Sequence, residues 1–233
     1  GIRDVERSRV LGDVYKRQTQ VWAAIMAGLK VKFVDANPNT LNMDLDDLAD
    51  KITSQTRAIF LVHLLGNPCD MESITALCQK HGLLLIEDCC EALGAKFEGQ
   101  AVGTFGIASS FSFFISHHIT TMEGGMICSQ EEPLYDLFRV LRAHGWARGL
   151  KYTKTLDLNE FDDRYLFLNW GFNVRPTELQ AGFGLEQLKR LPRFDTYRRR
   201  NAECLESYIR SHSSIMKTMQ VHEKAQCSWM ALP

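Results

Sequence analysis

Residues 58–88, AIFLVHLLGNPCDMESITALCQKHGLLLIED, decide the fold. The runs 58–63 and 83–87 are short and mostly apolar, as strands buried inside a sheet are, and between them Met71–His81 carries a helical period. Asp70 stands directly before that helix, where its carboxylate can accept from the exposed N–H groups of the first turn. Strand, helix and strand in this order make a parallel sheet the natural outcome. The alternation continues on both sides. Upstream, 31–34 reads as a strand, 37–42 as a turn-rich link and 44–52 as a helix. Downstream, 109–113 and 126–128 read as strands, 131–144 as a helix, and 177–212 as a long helical stretch broken near Pro192. Residues 227–233 (CSWMALP) read as the beginning of another strand, so the chain is expected to stop within the fold. The expected fold class is α/β, with a mixed, mainly parallel sheet sandwiched by helices.

Composition narrows the partners. At 233 residues, with 45% hydrophobic and 24% charged content, the chain can bury one large core. Its 27 Lys and Arg balance 28 Asp and Glu, which gives no electrostatic reason to expect nucleic acid or an anionic membrane surface. No apolar run approaches the roughly 18 residues of a membrane span, and no signal segment opens the chain. The seven cysteines form no CxxC pair, so reduced thiols and a cytoplasmic location are expected rather than a disulfide framework or a zinc site. Residues 1–18 (GIRDVERSRVLGDVYKRQ) carry four arginines and a lysine without clean periodicity. Their end, DVYKRQ, reads as a translated sequencing adapter, and the stretch is expected to lie outside the fold.

Three clusters hold the residues able to carry chemistry. The run 83–95, LLLIEDCCEALGA, delivers Glu87 and Asp88 at the carboxyl end of a strand, the edge where open α/β sheets bind ligands. A carboxylate there can pair with a buried cation, although a helix cap or loop anchor uses the same residue type. The run 109–125, SSFSFFISHHITTMEGG, is a strand followed by a polar turn. Ser112 can offer a hydroxyl to a phosphate, and His117 and His118 can move protons near neutrality or simply lie on a surface loop. The paired histidines have no further metal ligand at recognisable spacing, so no metal is expected. The run 171–188, GFNVRPTELQAGFGLEQL, is a helix entry with Pro176 at its start and Glu178 in its first turn. Asn173 and Arg175 before it can face a ligand or tie down the loop.

Taken in this order, the clusters resemble the DegT/DnrJ/StrS family of sugar-nucleotide aminotransferases, from about residue 19 to the end. The segments 33–41 (FVDANPNTL), 62–71 (VHLLGNPCDM) and 141–146 (LRAHGW) are similar to family stretches as well. The resemblance implies the large domain of the type I pyridoxal phosphate-dependent transferases, incomplete at its N-terminus over 19–212, with 213–233 opening a truncated smaller domain. It implies a homodimer whose active site is shared across the interface. It also implies that Asp88 holds the pyridine nitrogen, that Ser112 holds the phosphate, and that Asn173 reaches the phosphate in the neighbouring subunit.

One departure matters more than the matches. Five residues after Ser112 the family carries the lysine that bonds covalently to the cofactor, and here that position is His117. Imidazole cannot form that bond, but it can act as a general acid or base. The exchange resembles the 3-dehydratase branch, which removes the C3 hydroxyl of nucleotide-linked 4-keto-6-deoxyhexoses in deoxysugar and lipopolysaccharide biosynthesis. Glu91, standing where many aminotransferases of the family have glutamine, resembles that branch too and is counted with the cofactor-binding residues. No cysteine lies between Cys128 and Cys204, so the likeness is to the group without an iron–sulfur cluster, which uses pyridoxamine phosphate and regenerates it from glutamate. Two alternatives stand beside it. One is an aminotransferase recruiting another lysine, Lys96 or Lys151; the other is a non-catalytic relative that binds cofactor or sugar nucleotide.

Overall fold

The computed structural model describes residues 9–13, 18–148, 150 and 162–233. Its main sheet has six strands in the order β2-β1-β3-β4-β7-β8. These are β1 (Arg9–Asp13), β2 (Lys30–Val34), β3 (Thr56–Val62), β4 (Leu84–Asp88), β7 (Ala108–Ser112) and β8 (Gly125–Cys128). All neighbours pair parallel except β8, which runs antiparallel to β7. A second, three-stranded antiparallel sheet joins β5 (Lys96–Phe97), β6 (Gln100–Ala101) and β9 (Ala225–Gln226).

Helices cover both faces because β3 alternates. Ile59 and Leu61 join a core with Leu48 of α2 (Leu45–Lys51) and Met71 and Ile74 of α3 (Met71–His81). Ala58 and Phe60 turn to the other face and pack against Ala24 of α1 (Gln18–Met26). Opposite faces for successive residues are what a strand imposes. The predicted cap forms, with Asp70 accepting from Ser73 N at 3.0 Å, and Asp44, read as the first residue of a helix, instead caps α2 by accepting from the N–H groups of Asp46 and Asp47. Gly82 ends α3 in the left-handed region at φ 62°, where a Cβ would be strained.

The structure departs from the sequence reading in three places. Arg9–Asp13, within the stretch expected to lie outside the fold, is inserted between β2 and β3, with Val10 opposite both Val31 and Ala58. Facing edges of two parallel strands leave rows of unpaired N–H and C=O groups, and an extended segment of any origin satisfies them. The stretch 177–212 is not broken at Pro192: α5 runs unbroken over Glu178–His212 with the proline inside. A proline removes one ladder bond at a cost of about 3 kcal/mol. The helix is held elsewhere by the Thr177–Gln180 capping box and by burial of Ala202 against Trp229. The terminal strand is Ala225–Gln226 rather than 227–233; beyond it, Ser228 N donates to Gly66 O at 3.0 Å and Met230 N to Leu65 O at 2.9 Å. Helix α4 (Glu132–Leu141) falls within the predicted 131–144.

Candidate active site

The carboxyl ends of β3, β4 and β7 lie side by side, with Val62, Asp88 and Ser110 in register. Successive residues of β4 send two carboxylates to opposite faces. Glu87 is fully buried and accepts from the N–H groups of Gly103, Phe105 and Gly106 at 2.7, 2.8 and 2.7 Å. His63 Nδ1 accepts from Cys69 N at 3.0 Å, so the ring proton sits on Nε2 and faces Glu87 Oε2 at 3.1 Å. Burial raises the Glu87 pKa, but the hydrogen bond from His63 and those from the backbone N–H groups outweigh it and leave the pKa lowered. With Cys89 these residues form the kind of group that can ligate a metal. The hydrogen bonds already use both His63 nitrogens and both Glu87 oxygens, which accounts for the cluster as a scaffold.

Asp88, on the other face, is 4% exposed. Its Oδ1 accepts from Cys90 N at 2.9 Å and its Oδ2 from the Gln20 side-chain amide at 2.6 Å. Both donors are neutral, and among the described residues no cation pairs with it. A buried carboxylate in that position is suited to a cationic partner, and a protonated pyridine nitrogen meets the requirement. Gln20 was not visible from sequence: it lies on α1, whose apolar residues form no clear stripe and whose Trp22 and Met26 are exposed.

Ser112 closes β7 on the same edge, half-buried, with its Oγ accepting from Phe114 N at 3.3 Å. The turn after it is tightly wired: Phe113 N donates to Gly124 O, Thr121 N to Phe113 O, and His117 N to Phe114 O, at 2.9, 2.9 and 3.0 Å. Gly124 is needed there, since a Cβ would stand 2.5 Å from Thr121 Oγ1. Both histidines are buried, which removes the surface-loop alternative. The His117 ring meets Phe114 edge-on at 6.4 Å between centroids. His118 Nε2 donates to Ser228 O at 2.8 Å, while burial drives its pKa down to about 4. Imidazolium is thereby excluded near neutrality, and His118 works as a neutral clamp on the C-terminal segment. Glu91 is buried and accepts from Leu65 N at 2.9 Å.

Asn173 takes no part in this cluster. It is exposed, bridges in β fashion to Ala143, and accepts from Arg175 Nη2 at 3.4 Å. Around it Trp170, Phe172 and Val174 are exposed by 90%, 59% and 63%. Lys96 lies exposed in the small antiparallel sheet, and Lys151 lies outside the described residues.

The mainly parallel sheet with helices on both faces is the fold of the solved sugar aminotransferases. The chain belongs to the DegT/DnrJ/EryC1/StrS aminotransferase family, whose sequence profile matches residues 19–233. It is 44% identical over 189 residues to GDP-4-keto-6-deoxy-D-mannose 3-dehydratase of Escherichia coli O55:H7, covering 79% of this chain and 49% of that protein. The Yersinia pseudotuberculosis protein of the same name is 43% identical over 192 residues, covering 81% and 49%. A crystal structure of GDP-4-keto-6-deoxymannose-3-dehydratase with a trapped PLP-glutamate geminal diamine superposes with TM-score 0.88 at 37% identity, covering 95% of this chain and 58% of that one. The chain spans about half the length of the curated relatives it matches.

Proposed function

We propose that the chain forms the core of a pyridoxamine phosphate-dependent 3-dehydratase. Its substrate is a nucleotide-linked 4-keto-6-deoxyhexose of deoxysugar and lipopolysaccharide O-antigen biosynthesis, with glutamate as amino donor. The observation that carries the reading is His117, a buried imidazole on the strand-end turn at the position of the family's cofactor-bonding lysine. Relatives named as 3-dehydratases, and the PLP–glutamate adduct seen in one of them, support it.

When bound, the cofactor supplies an amine for the C4 ketone and a ring that takes up an electron pair. The chain's residues supply the rest. The carboxylate of Asp88 accepts a hydrogen bond from the protonated ring nitrogen, leaving the proton on the ring and so keeping it cationic. The hydroxyl of Ser112 and the amide of Asn173 from a second copy of the chain bind the phosphate, and Glu91 completes the cofactor's surroundings. His117 takes up a proton through a ring nitrogen and returns one to the departing C3 hydroxyl, which leaves as water. Over a full cycle the sugar loses one oxygen, glutamate becomes 2-oxoglutarate and ammonia is released, so atoms and electrons balance.

The exposed strip at Trp170, Phe172 and Val174 supports a homodimer with a shared site. The nucleotide-sugar and glutamate chemistry supports a cytoplasmic location; among the described residues no helix is long and apolar enough to cross a membrane. We also assign residues 1–18, which precede the family match, to an adapter-derived segment, 19–212 to the cofactor-binding domain, and 213–233 to the opening of the smaller one.

Product mass after incubation with GDP-4-keto-6-deoxymannose, pyridoxamine phosphate and glutamate tests the reading. A sugar one oxygen lighter is expected. Exchange of oxygen for an amine would mark an aminotransferase, and an unchanged sugar a binding protein. His117→Asn should abolish the oxygen loss while pyridoxal phosphate still binds; retained turnover would remove the role given to His117.

A further inference from the structure

Asp88 is reached from far away in sequence. Gln20 lies in the first turn of α1, 6% exposed, and its Nε2 donates to Asp88 Oδ2 at 2.6 Å across 68 positions. Packing of Ala24 against Ala58 seats that helix on the sheet face, so the amide arrives over the carboxyl end of β4.

We propose that Gln20 is a positioning residue for the cofactor: its amide fixes the Asp88 carboxylate in the orientation in which it receives a protonated pyridine nitrogen. The assignment rests on the functional reading above. With Cys90 N on Oδ1 and Gln20 on Oδ2, each oxygen has one N–H donor and keeps a second lone pair. Two donors hold the rotamer of the carboxylate, and neither neutralises it. The residue type follows from this. A lysine at position 20 would pair with Asp88 and compete with the ring, a glutamate would repel it, and an apolar side chain would leave Oδ2 buried with one donor fewer. An amide orients the carboxylate without competing for it.

Pyridoxal phosphate labelled with 15N in the ring is the probe. The wild-type protein should bind it with the nitrogen protonated. Gln20→Met, similar in length but lacking the donor, should weaken binding about tenfold, the size of one hydrogen bond to a charged group. It should also move the ring 15N resonance toward the unprotonated position, a change that a merely structural role would not produce. Gln20→Glu should bind with an affinity that rises with pH across a range where wild type is flat, because two facing carboxyls share a proton that the cationic ring displaces. If Gln20→Met fails to fold, the pH profile of Gln20→Glu decides. Wild-type affinity and ring shift in Gln20→Met, or a flat profile in Gln20→Glu, would overturn the assignment alone. A wild-type protein that takes up no cofactor would overturn the functional reading and this assignment with it.

Discussion

At the residue scale, the two adjacent histidines are separated by environment rather than by type. His118 is buried against Ser228 O with Arg198 and Asp195 acting on it, and its pKa falls from the ordinary 6.5 to about 4. The folded state therefore binds its proton less readily than the unfolded chain. The contribution is fully present above pH 6.5 and is lost as pH falls through about 4, on the order of 3 kcal/mol in all. Urea unfolding of wild type between pH 7.5 and 4 should lose this stability progressively. His118→Gln, which keeps an N–H donor but cannot take up a proton there, should lose it to a much smaller degree; parallel pH slopes would contradict the assignment. Glu87 has the same sign from different causes, since burial opposes and His63 with the backbone N–H groups favours its ionised form. Glu87→Gln turns an amide NH2 toward N–H groups of Gly103, Phe105 and Gly106 that need acceptors. A loss of about 2–4 kcal/mol in unfolding free energy is expected.

At the element scale, what was legible in the sequence follows from local signals. The strands at 31–34, 58–63, 83–87, 109–113 and 126–128 each match an observed strand within two residues at either end, because apolar runs bounded by caps and turns encode them without help from distant chain. The places of Asp88 and Ser112 at strand ends, and of His117 in the turn that follows, were legible for the same reason. Gln20, β9 and the continuity of α5 through Pro192 depend on contacts over long separations, which no local pattern carries. The docking of β9 is such a contact. Gly66 lies at φ +89°, and a Cβ there would stand 1.8 Å from Ser228 O, on rigid backbone. Gly66→Ala should push the segment at 225–230 away from Leu65 and Gly66, expose Trp229 and release the His118 clamp. A red shift of tryptophan emission and faster proteolytic cleavage after residue 212 should report it; unchanged emission and cleavage would mean that the segment is held independently of this approach.

At the scale of the whole molecule, Asp88 and Ser112 end neighbouring strands and His117 lies in the turn that follows, while Asn173 lies exposed before α5. Trp170, Phe172, Val174, Leu179 and Phe183 present a run of exposed apolar side chains on either side of the α5 entry, and a large apolar patch of this kind is commonly covered by a partner. Two-fold pairing would cover the patch on both copies at once and carry each Asn173 to the other's cofactor. Complementation separates this arrangement from a site complete within one chain. His117→Asn and Asn173→Ala should each be inactive as homodimers, the first for want of a proton carrier and the second for want of a phosphate contact. Mixed and allowed to exchange subunits, half of the dimers become hybrids, and each hybrid has one site with both residues intact. Activity should then recover to about a quarter of wild type, the statistical expectation for two-fold dimers with shared sites. Trp170→Asp, which charges the centre of the apolar strip, should lower both the sedimentation coefficient and the recovery in the mixture. A mixture that stays inactive while hybrids are demonstrably present would place Asn173 in its own chain's site and leave the strip to some other partner.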